Sequence, residues 1–400
     1  MNRRRFLATA ATGFLLARTL RLHAAEVPRD VRITRIVGFD VISERSKIAG
    51  KNARLDVHGD KATDGMARLY TNKGIDGVGN CRIDQKTAAS LIGKDPFSFY
   101  REEARQFAGP FGVGTMPFWD LFGRLTQKPV WQLLGGAGPE RVPVYDGSIY
   151  FADLLPRYAP NWRDRLREEI DMGLAIGHRA FKIKVGRGNK WMPREEGDAR
   201  DVEVIRTIRR HAGPEVLLGI DANNGYDRAG AQVLLERVAD TKLAFVEEMF
   251  DETVDDCLAF KEFLLKQGNG TLLADGETQG DLNAFKPFIE ARAIDVLQAD
   301  MNRFGFEGIL TEAAWAREKE LRVAPHNWGS LVGYYMQLHV GRAIPNFYRA
   351  EHDPLSTAVL IEEGYERKNG ETTVPDTPGF GLTIDEQAFA SAARIRFDAK

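Results

Sequence analysis

The sequence predicts an α/β protein whose main part is a parallel β/α barrel. From residue 182 onward, seven short apolar runs end in charged residues or a histidine, at intervals of 23 to 39 residues. One strand and its returning helix take up about that length. Strands of such a barrel open on one face, where barrel enzymes build their sites, so we expect these end residues to converge. They are Lys182, Lys184, Asp221, Glu247, Glu277, Asp300, His326 and Glu351.

The overall composition excludes several classes of protein. A chain of 400 residues suits a barrel of ~250 residues with a second module. The formal net charge of −2 gives no electrostatic footprint for nucleic acid. No stretch approaches the ~20 apolar residues of a membrane span. The two cysteines, Cys81 and Cys257, form no metal-binding pattern and are expected to be buried thiols, although a count of two does not exclude a disulfide.

The first 25 residues resemble a twin-arginine export signal. The pair Arg3-Arg4 is followed by Phe6-Leu7, then by an apolar run of small residues and a plausible cleavage region. A basic tail without a targeting role is the alternative interpretation. The signal interpretation predicts removal of residues 1–25 and a periplasmic or exported mature protein.

The next part of the chain predicts a small α+β module that precedes the barrel. We expect a strand, a long polar loop, a hairpin turning at Asn72-Lys73-Gly74, a mainly helical region and then the first barrel strand. These predicted elements span residues 31–43, 44–61, 67–80, 85–135 and 142–148 in that order.

Three strand-end carboxylates predict a metal site. Asp221, Glu247 and Glu277 offer hard oxygen ligands without cysteine or histidine, which suits Mg²⁺. Three such groups crowded together without a cation would repel one another. Strand alternation is expected to turn Glu248 to the opposite face, and Asn223 shares the face of Asp221, where it could contact metal or substrate.

Two further features predict acid/base chemistry. Lys182 and Lys184 alternate with apolar neighbours, so both should point into the barrel, where mutual repulsion and a nearby Mg²⁺ would lower their pKa. Asp300 and His326 end adjacent strands, and a carboxylate beside an imidazole fixes its tautomer and raises its basicity. The alternatives are a solvated lysine pair and a structural histidine. Glu351 could form a hydrogen bond at a developing oxyanion.

These motifs together resemble the mandelate racemase subgroup of the enolase superfamily. The resemblance rests on Lys-Ile-Lys at 182–184, Asp-Ala-Asn at 221–223, Glu-Glu at 247–248, Gly-Glu at 276–277, the Asp300/His326 pair, Glu351 and the 129–136 segment. It implies a modified TIM barrel, (β/α)7β, at residues 141–360. An α+β N-terminal capping domain would occupy residues 26–140, and residues 361–400 would return to that domain.

The resemblance also implies a function. Mg²⁺ and Lys182 would neutralise charge while a base removes the α-proton of a carboxylate substrate through an enediolate intermediate, with Lys184 and His326 on opposite faces. Cap loops would select the substrate, which implicates Lys47 and Arg54 of the 44–61 stretch. We favour dehydration of an acid sugar, because this stretch is polar and basic. Racemisation or epimerisation of a 2-hydroxy acid and a non-catalytic exported sugar-acid-binding protein are the alternatives. We also expect a homo-oligomer.

Overall fold

A computed structural model describes residues 30–400, and the predicted signal at residues 1–25 lies outside the described part. The chain forms a cap and a barrel that share a large hydrophobic core, and a smaller apolar cluster lies among the barrel strands. Among residues 30–400, no helix is long and apolar enough to cross a bilayer.

The cap is built around a long antiparallel sheet. Its strands are β1 (Ile33–Ala49), β2 (Gly59–Thr71) and β3 (Asp76–Asn80), and the predicted hairpin between β2 and β3 is confirmed. The remaining cap elements are α1 (Gln85–Leu91), β4 (Tyr100–Arg101), β5 (Gln106–Phe107), α2 (Met116–Thr126) and α3 (Val130–Leu134).

One prediction for the cap was wrong and another was incomplete. Only 50–58 of the predicted loop 44–61 connects β1 to β2, and the other half of that stretch is strand. The strand continues because Arg45 and Lys47, on its buried face, form ion pairs with Asp353 and Glu169 of the barrel part. In the region predicted to be mainly helical, residues 100–107 form the small β4–β5 hairpin instead. Its aromatic side chains pack against rings of helix α2, which local helical propensity does not reveal.

The barrel has eight parallel strands and seven intervening helices, which confirms the predicted (β/α)7β architecture. The strands are β6 (Arg141–Ile149), β7 (Ala180–Lys184), β8 (Leu217–Asp221), β9 (Phe245–Glu247), β10 (Leu272–Asp275), β11 (Val296–Leu297), β12 (Arg322–Val323) and β13 (Ala350–His352). The helices are α4 (Trp162–Ala175), α5 (Arg194–Ala212), α6 (Arg228–Arg237), α7 (Val254–Gln267), α8 (Phe285–Ala291), α9 (Met301–Glu318) and α10 (Leu331–Ala343).

The barrel closes where β13 pairs with β6 in parallel, at Glu351 opposite Tyr145. Helix α5 illustrates why the helices lie outside the strands. Its residues Val202, Ile205 and Ile208 are buried on one face, and Gly213 ends the helix. The two cysteines are free buried thiols.

The C-terminal segment contacts both parts of the molecule. It consists of β14 (Leu355–Ser356), β15 (Leu360–Glu362), β16 (Glu366–Lys368), β17 (Glu371–Thr373), β18 (Leu382–Ile384), α11 (Glu386–Ala392) and β19 (Arg394–Ala399). Strand β17 extends the sheet beside the amino end of β6, whereas β14 and β19 pair with β1 of the cap. These pairings hold the cap over one end of the barrel.

Candidate active site

The three predicted metal ligands converge at the carboxyl ends of β8, β9 and β10. One oxygen of each of Asp221, Glu247 and Glu277 lies within 4.8 Å of the others. Asp221 and Glu247 are register partners on adjacent strands. Gly276, with φ of +129°, turns the chain after β10 towards the site, and a Cβ there would overlap the ring of Phe285. The glycine is therefore needed to place Glu277.

This set of oxygens fits Mg²⁺. The three side chains are anionic oxygen donors, and they lie close enough to share one ion. One oxygen of Glu248, beside this set, is buried without a hydrogen-bond partner in the described residues. Asp221, Glu247 and Glu277 would hold the ion, which would offset the repulsion among their negative charges.

The two lysines of β7 point into the same space, as predicted. Lys182 Nζ lies 2.6 Å from Glu247 Oε1, 2.8 Å from Glu351 Oε1 and 3.1 Å from Asp221 Oδ2. Lys184 Nζ lies 2.5 Å from Asp221 Oδ2 and 3.0 Å from Asn223 Oδ1. Both ammonium groups are buried, so the carboxylates compensate their charge.

The pKa values of this cluster reflect its mixture of charges. Burial is the largest single influence on Lys184 and lowers its pKa, but Asp221 and the other neighbouring groups together raise the pKa above its ordinary value. The pKa of Lys182 is raised in the same way, against burial, chiefly by Glu247 and Glu351. The sequence predicted a lowered pKa for both lysines. The protein groups alone raise the pKa of both instead. Burial raises the pKa of Glu247 to about 8 despite the nearby Lys182.

His326 and Asp300 form a close pair at the ends of adjacent strands. His326 Nδ1 lies 2.6 Å from Asp300 Oδ2, and His326 Nε2 lies 3.0 Å from Glu277 Oε2. Burial opposes protonation of the ring, but Glu277 and Asp300 raise the His326 pKa to about 10. The imidazole thus lies between the carboxylate of Asp300 and that of Glu277, one of the predicted metal ligands.

Glu351 is held on both oxygens. Oε1 accepts from Lys182, and Oε2 accepts from the backbone N–H of Asn327 at 2.9 Å. Gly147, on the neighbouring strand, leaves space for this carboxylate, because a Cβ there would lie 2.5 Å from Glu351 Oε1. Glu351 can therefore orient Lys182.

Several residues around the site were not identified from the sequence. Gln298 donates to Glu247 Oε2 at 2.7 Å. The prediction that Glu248 turns away is wrong: strand β9 ends at Glu247, and Glu248 has a left-handed backbone (φ +41°), which breaks the alternation. Its Oε2 accepts from Asn223 Nδ2 at 3.2 Å, and burial, followed by Glu277, raises its pKa. The doubled glutamate was the available signal.

The predicted substrate contacts lie in three different environments. Asn223 belongs to the site, where its amide contacts Lys184, Glu248 and Glu277. Lys47 does not reach the site, because its ammonium forms a buried 2.9 Å ion pair with Glu169.

Arg54 lies outside the carboxylate cluster as well. It pairs with Asp251 at 2.8 Å, and both side chains are exposed. These placements argue against substrate binding by Lys47 and give no contact between Arg54 and the acid/base groups.

An aromatic group covers the lysine side of the site. His58 of the cap packs edge-on against Tyr150 and Trp328, with ring centroids at 4.8 and 5.9 Å, and Tyr150 stacks on Trp328 at 4.5 Å. Lys184 Nζ lies 5.3 Å from the Tyr150 ring centroid. No sequence spacing indicated this contact, because the three rings come from distant segments.

The fold and site define a β/α-barrel enzyme with an oxygen-ligand metal site and two acid/base groups. The family model described as "Enolase C-terminal domain-like" matches residues 165–388. Because this is more than half of the chain, the protein belongs to that family.

Solved structures and curated proteins agree with this assignment. Galacturonate dehydratase from a Geobacillus species, solved with D-galacturonate and 5-keto-4-deoxy-D-galacturonate, is 31% identical, with a TM-score of 0.84 over 94% of this chain and 100% of that one. D-galactarolactone cycloisomerase of Agrobacterium fabrum is 28% identical over 334 residues, 77% of this chain and 83% of that protein. Arabinonate dehydratase of Saccharolobus solfataricus is 27% identical over 285 residues, 70% of this chain and 71% of that protein.

Proposed function

We propose that this enzyme catalyses the Mg²⁺-dependent dehydration of a sugar acid, beginning with removal of the proton α to the carboxylate. One observation carries the proposal: two acid/base groups contact the metal-ligand carboxylates from different strands. Lys184 Nζ lies 2.5 Å from Asp221, and His326 Nε2 lies 3.0 Å from Glu277. Dehydration needs one group to take the α-proton and another to protonate the departing hydroxyl.

The chain's own residues divide the work. When bound, Mg²⁺ would polarise the substrate carboxylate and repel the neighbouring ammonium groups. Lys182, oriented by Glu247 and Glu351, stabilises the negative charge of the enediolate. Lys184 removes the α-proton, and His326 protonates the hydroxyl at the β-carbon. Asp300 holds the proton on His326 Nδ1, which leaves Nε2 for proton transfer.

The relatives support dehydration over the alternatives. The galacturonate dehydratase named above shares this fold over its whole length, and the chain covers 71% of the arabinonate dehydratase. Racemisation would use the same two groups and remains the competing activity. A non-catalytic binding role is disfavoured, because a binding protein has no need of a buried lysine pair beside a histidine–aspartate dyad.

The test is an assay of the mature protein with a panel of sugar acids in deuterated water. Galacturonate, galactonate and arabinonate are supplied with Mg²⁺, and α-proton exchange is followed by NMR alongside formation of a keto product. A keto product establishes dehydration. Exchange with inversion at the α-carbon and no keto product establishes racemisation, and neither exchange nor product in a broad panel contradicts the proposal.

We further propose export through the twin-arginine pathway and assembly into a homo-oligomer. The Arg3-Arg4 pair and the apolar run after it support export. Replacing both arginines by lysine should leave unprocessed protein in the cytoplasm, and full-length wild-type protein found there would contradict export. Light scattering of the purified protein measures the assembly, and a monomeric mass would contradict it.

A further inference from the structure

The loop that joins β1 to β2 ends at His58, whose ring lies in the aromatic group above Lys184. The backbone N–H of His58 donates to the carbonyl of Ala49 at 3.1 Å, which fixes its position at the end of the loop. Its ring contacts Tyr150, and the Tyr150 ring in turn lies 5.3 Å from Lys184 Nζ. The imidazole therefore belongs to the wall that borders the proposed base.

The barrel holds this loop in place from the other side. The side chain of Trp191 donates to the carbonyl of Asn52 at 2.6 Å, and Asn189 donates to the carbonyl of Ala53 at 3.1 Å. The backbone N–H of Phe151 donates to the carbonyl of Lys51 at 2.9 Å. With these contacts the loop presents His58 in a defined orientation, as a substrate-binding group requires.

The hydrogen bonds determine which nitrogen of His58 carries the proton. Trp328 Nε1 lies 3.4 Å from His58 Nδ1, and an indole N–H can only donate, so Nδ1 accepts. The proton of the neutral ring must then lie on Nε2. This nitrogen is buried and has no hydrogen-bond partner within residues 30–400.

The surroundings keep the ring neutral. Burial lowers the His58 pKa to about 4, and the cationic groups of Lys184 and Arg45 act in the same direction. The Arg45 guanidinium stacks on Trp328, with its central carbon 4.6 Å from the ring centroid. A neutral histidine with an unused N–H donor requires an acceptor to satisfy it, and this ring packs on Tyr150, which contacts the proposed base.

We propose that His58 binds the substrate by donating a hydrogen bond from Nε2–H to an oxygen of the sugar acid that lies beyond the reacting carbons. This inference rests on the proposed function, because it takes the ligand to be a sugar acid. With this hydrogen bond, His58 of the cap would make the enzyme prefer a substrate that carries an acceptor oxygen at its distal end.

The test compares three forms of the enzyme. His58→Phe keeps an aromatic ring but removes the donor, whereas His58→Gln places an amide N–H near the position of Nε2. We expect His58→Phe to reduce kcat/KM about tenfold, mainly through KM, and His58→Gln to recover most of that loss. The reduction should disappear with an analogue deoxygenated at its distal end. Thermal unfolding of each variant checks that the fold is intact.

A second measurement reports on the ring without turnover. In protein labelled with ¹⁵N-histidine, the His58 signals, assigned by their loss in His58→Gln, should show the Nε2–H tautomer at pH 7. They should shift when Mg²⁺ and galacturonate, galactonate or arabinonate are added. A proton on Nδ1, or wild-type kcat/KM in His58→Phe with an active sugar acid, overturns this inference alone. If the wild type neither binds nor converts any sugar acid, the proposed function fails and this inference fails with it.

Discussion

Asp300 uses its two carboxylate oxygens for two different purposes. Oδ2 lies 2.6 Å from His326 Nδ1, and Oδ1 accepts the backbone N–H of Arg303 at 2.8 Å as the N-cap of helix α9. The residue that orients the His326 imidazole therefore also begins helix α9. An amide in its place would preserve the cap but not the orientation of the histidine proton.

Asp300→Asn is expected to separate these roles. Asparagine caps a helix as well as aspartate does, so stability should change by less than about 1 kcal/mol. Its NH₂ group would face His326 Nδ1 and force the proton onto Nε2, so kcat should fall roughly 10²–10⁴-fold. Steady-state kinetics and thermal unfolding measure the two effects. Asp227→Asn, at the N-cap of α6, is the matched control and should leave kcat unchanged. A similar kcat in both variants would rule out the dyad.

The sequence allowed prediction of the strand-end residues but not of the side chains that reach the site from elsewhere. Asp221 and Glu247 follow apolar runs that β-strand periodicity identifies, and the barrel topology then brings them together. Glu248 was missed because one left-handed residue ends the alternation. Lys47 was misassigned because its partner, Glu169, lies 122 positions away, and no local pattern reports such a pairing. His58 and Trp328, which are in contact, lie even farther apart along the chain.

Metal binding should distinguish the two neighbouring glutamates. Glu247→Gln removes a ligand of the converging set and should weaken Mg²⁺ binding at least ~100-fold, because a neutral amide replaces a hard anionic oxygen. Glu248→Gln should have a much smaller effect, since the Glu248 side chain hydrogen-bonds Asn223 and is not a member of the converging set. Isothermal titration with Mg²⁺ measures both. Equal losses in the two variants would mean that the ligand assignment is wrong.

Gly276 should be more sensitive to substitution than its neighbour Gly280. Gly276→Ala places a side chain at φ +129° against Phe285, which should displace Glu277 and weaken Mg²⁺ binding by about tenfold or more. Gly280→Ala is the control, because a Cβ there meets nothing within 4 Å. The comparison uses Mg²⁺ titrations and melting temperatures. Unchanged affinity in Gly276→Ala would show that the turn does not control Glu277.

The buried carboxyl of Glu312 should make the free energy of unfolding depend on pH. This carboxyl on α9 is buried, and neither oxygen has a close hydrogen-bond partner among residues 30–400. Burial raises its pKa to about 8, although the backbone N–H of Ala299 acts in the opposite direction. Because the folded state holds the proton more tightly than the unfolded state, stability falls as pH rises from about 4.5 to 8. Glu312→Gln should therefore gain about 2–5 kcal/mol relative to wild type between pH 5 and pH 9. Urea unfolding at both values measures the difference, and a pH-independent difference would contradict it.

Lys184 and His326 should have separable functions in the dehydration. If Lys184 is the base, Lys184→Ala loses both α-proton exchange and product, at least ~10³-fold. His326→Asn then retains exchange with solvent deuterium but forms little keto product, because the hydroxyl is no longer protonated. If His326 is the base, the exchange phenotypes of the two variants are reversed. NMR of the substrate in deuterated water, with product measured in parallel, distinguishes the two assignments. A racemase would show exchange from only one enantiomer in each variant and no keto product. Wild-type turnover in both variants would show that neither residue takes part in the chemistry.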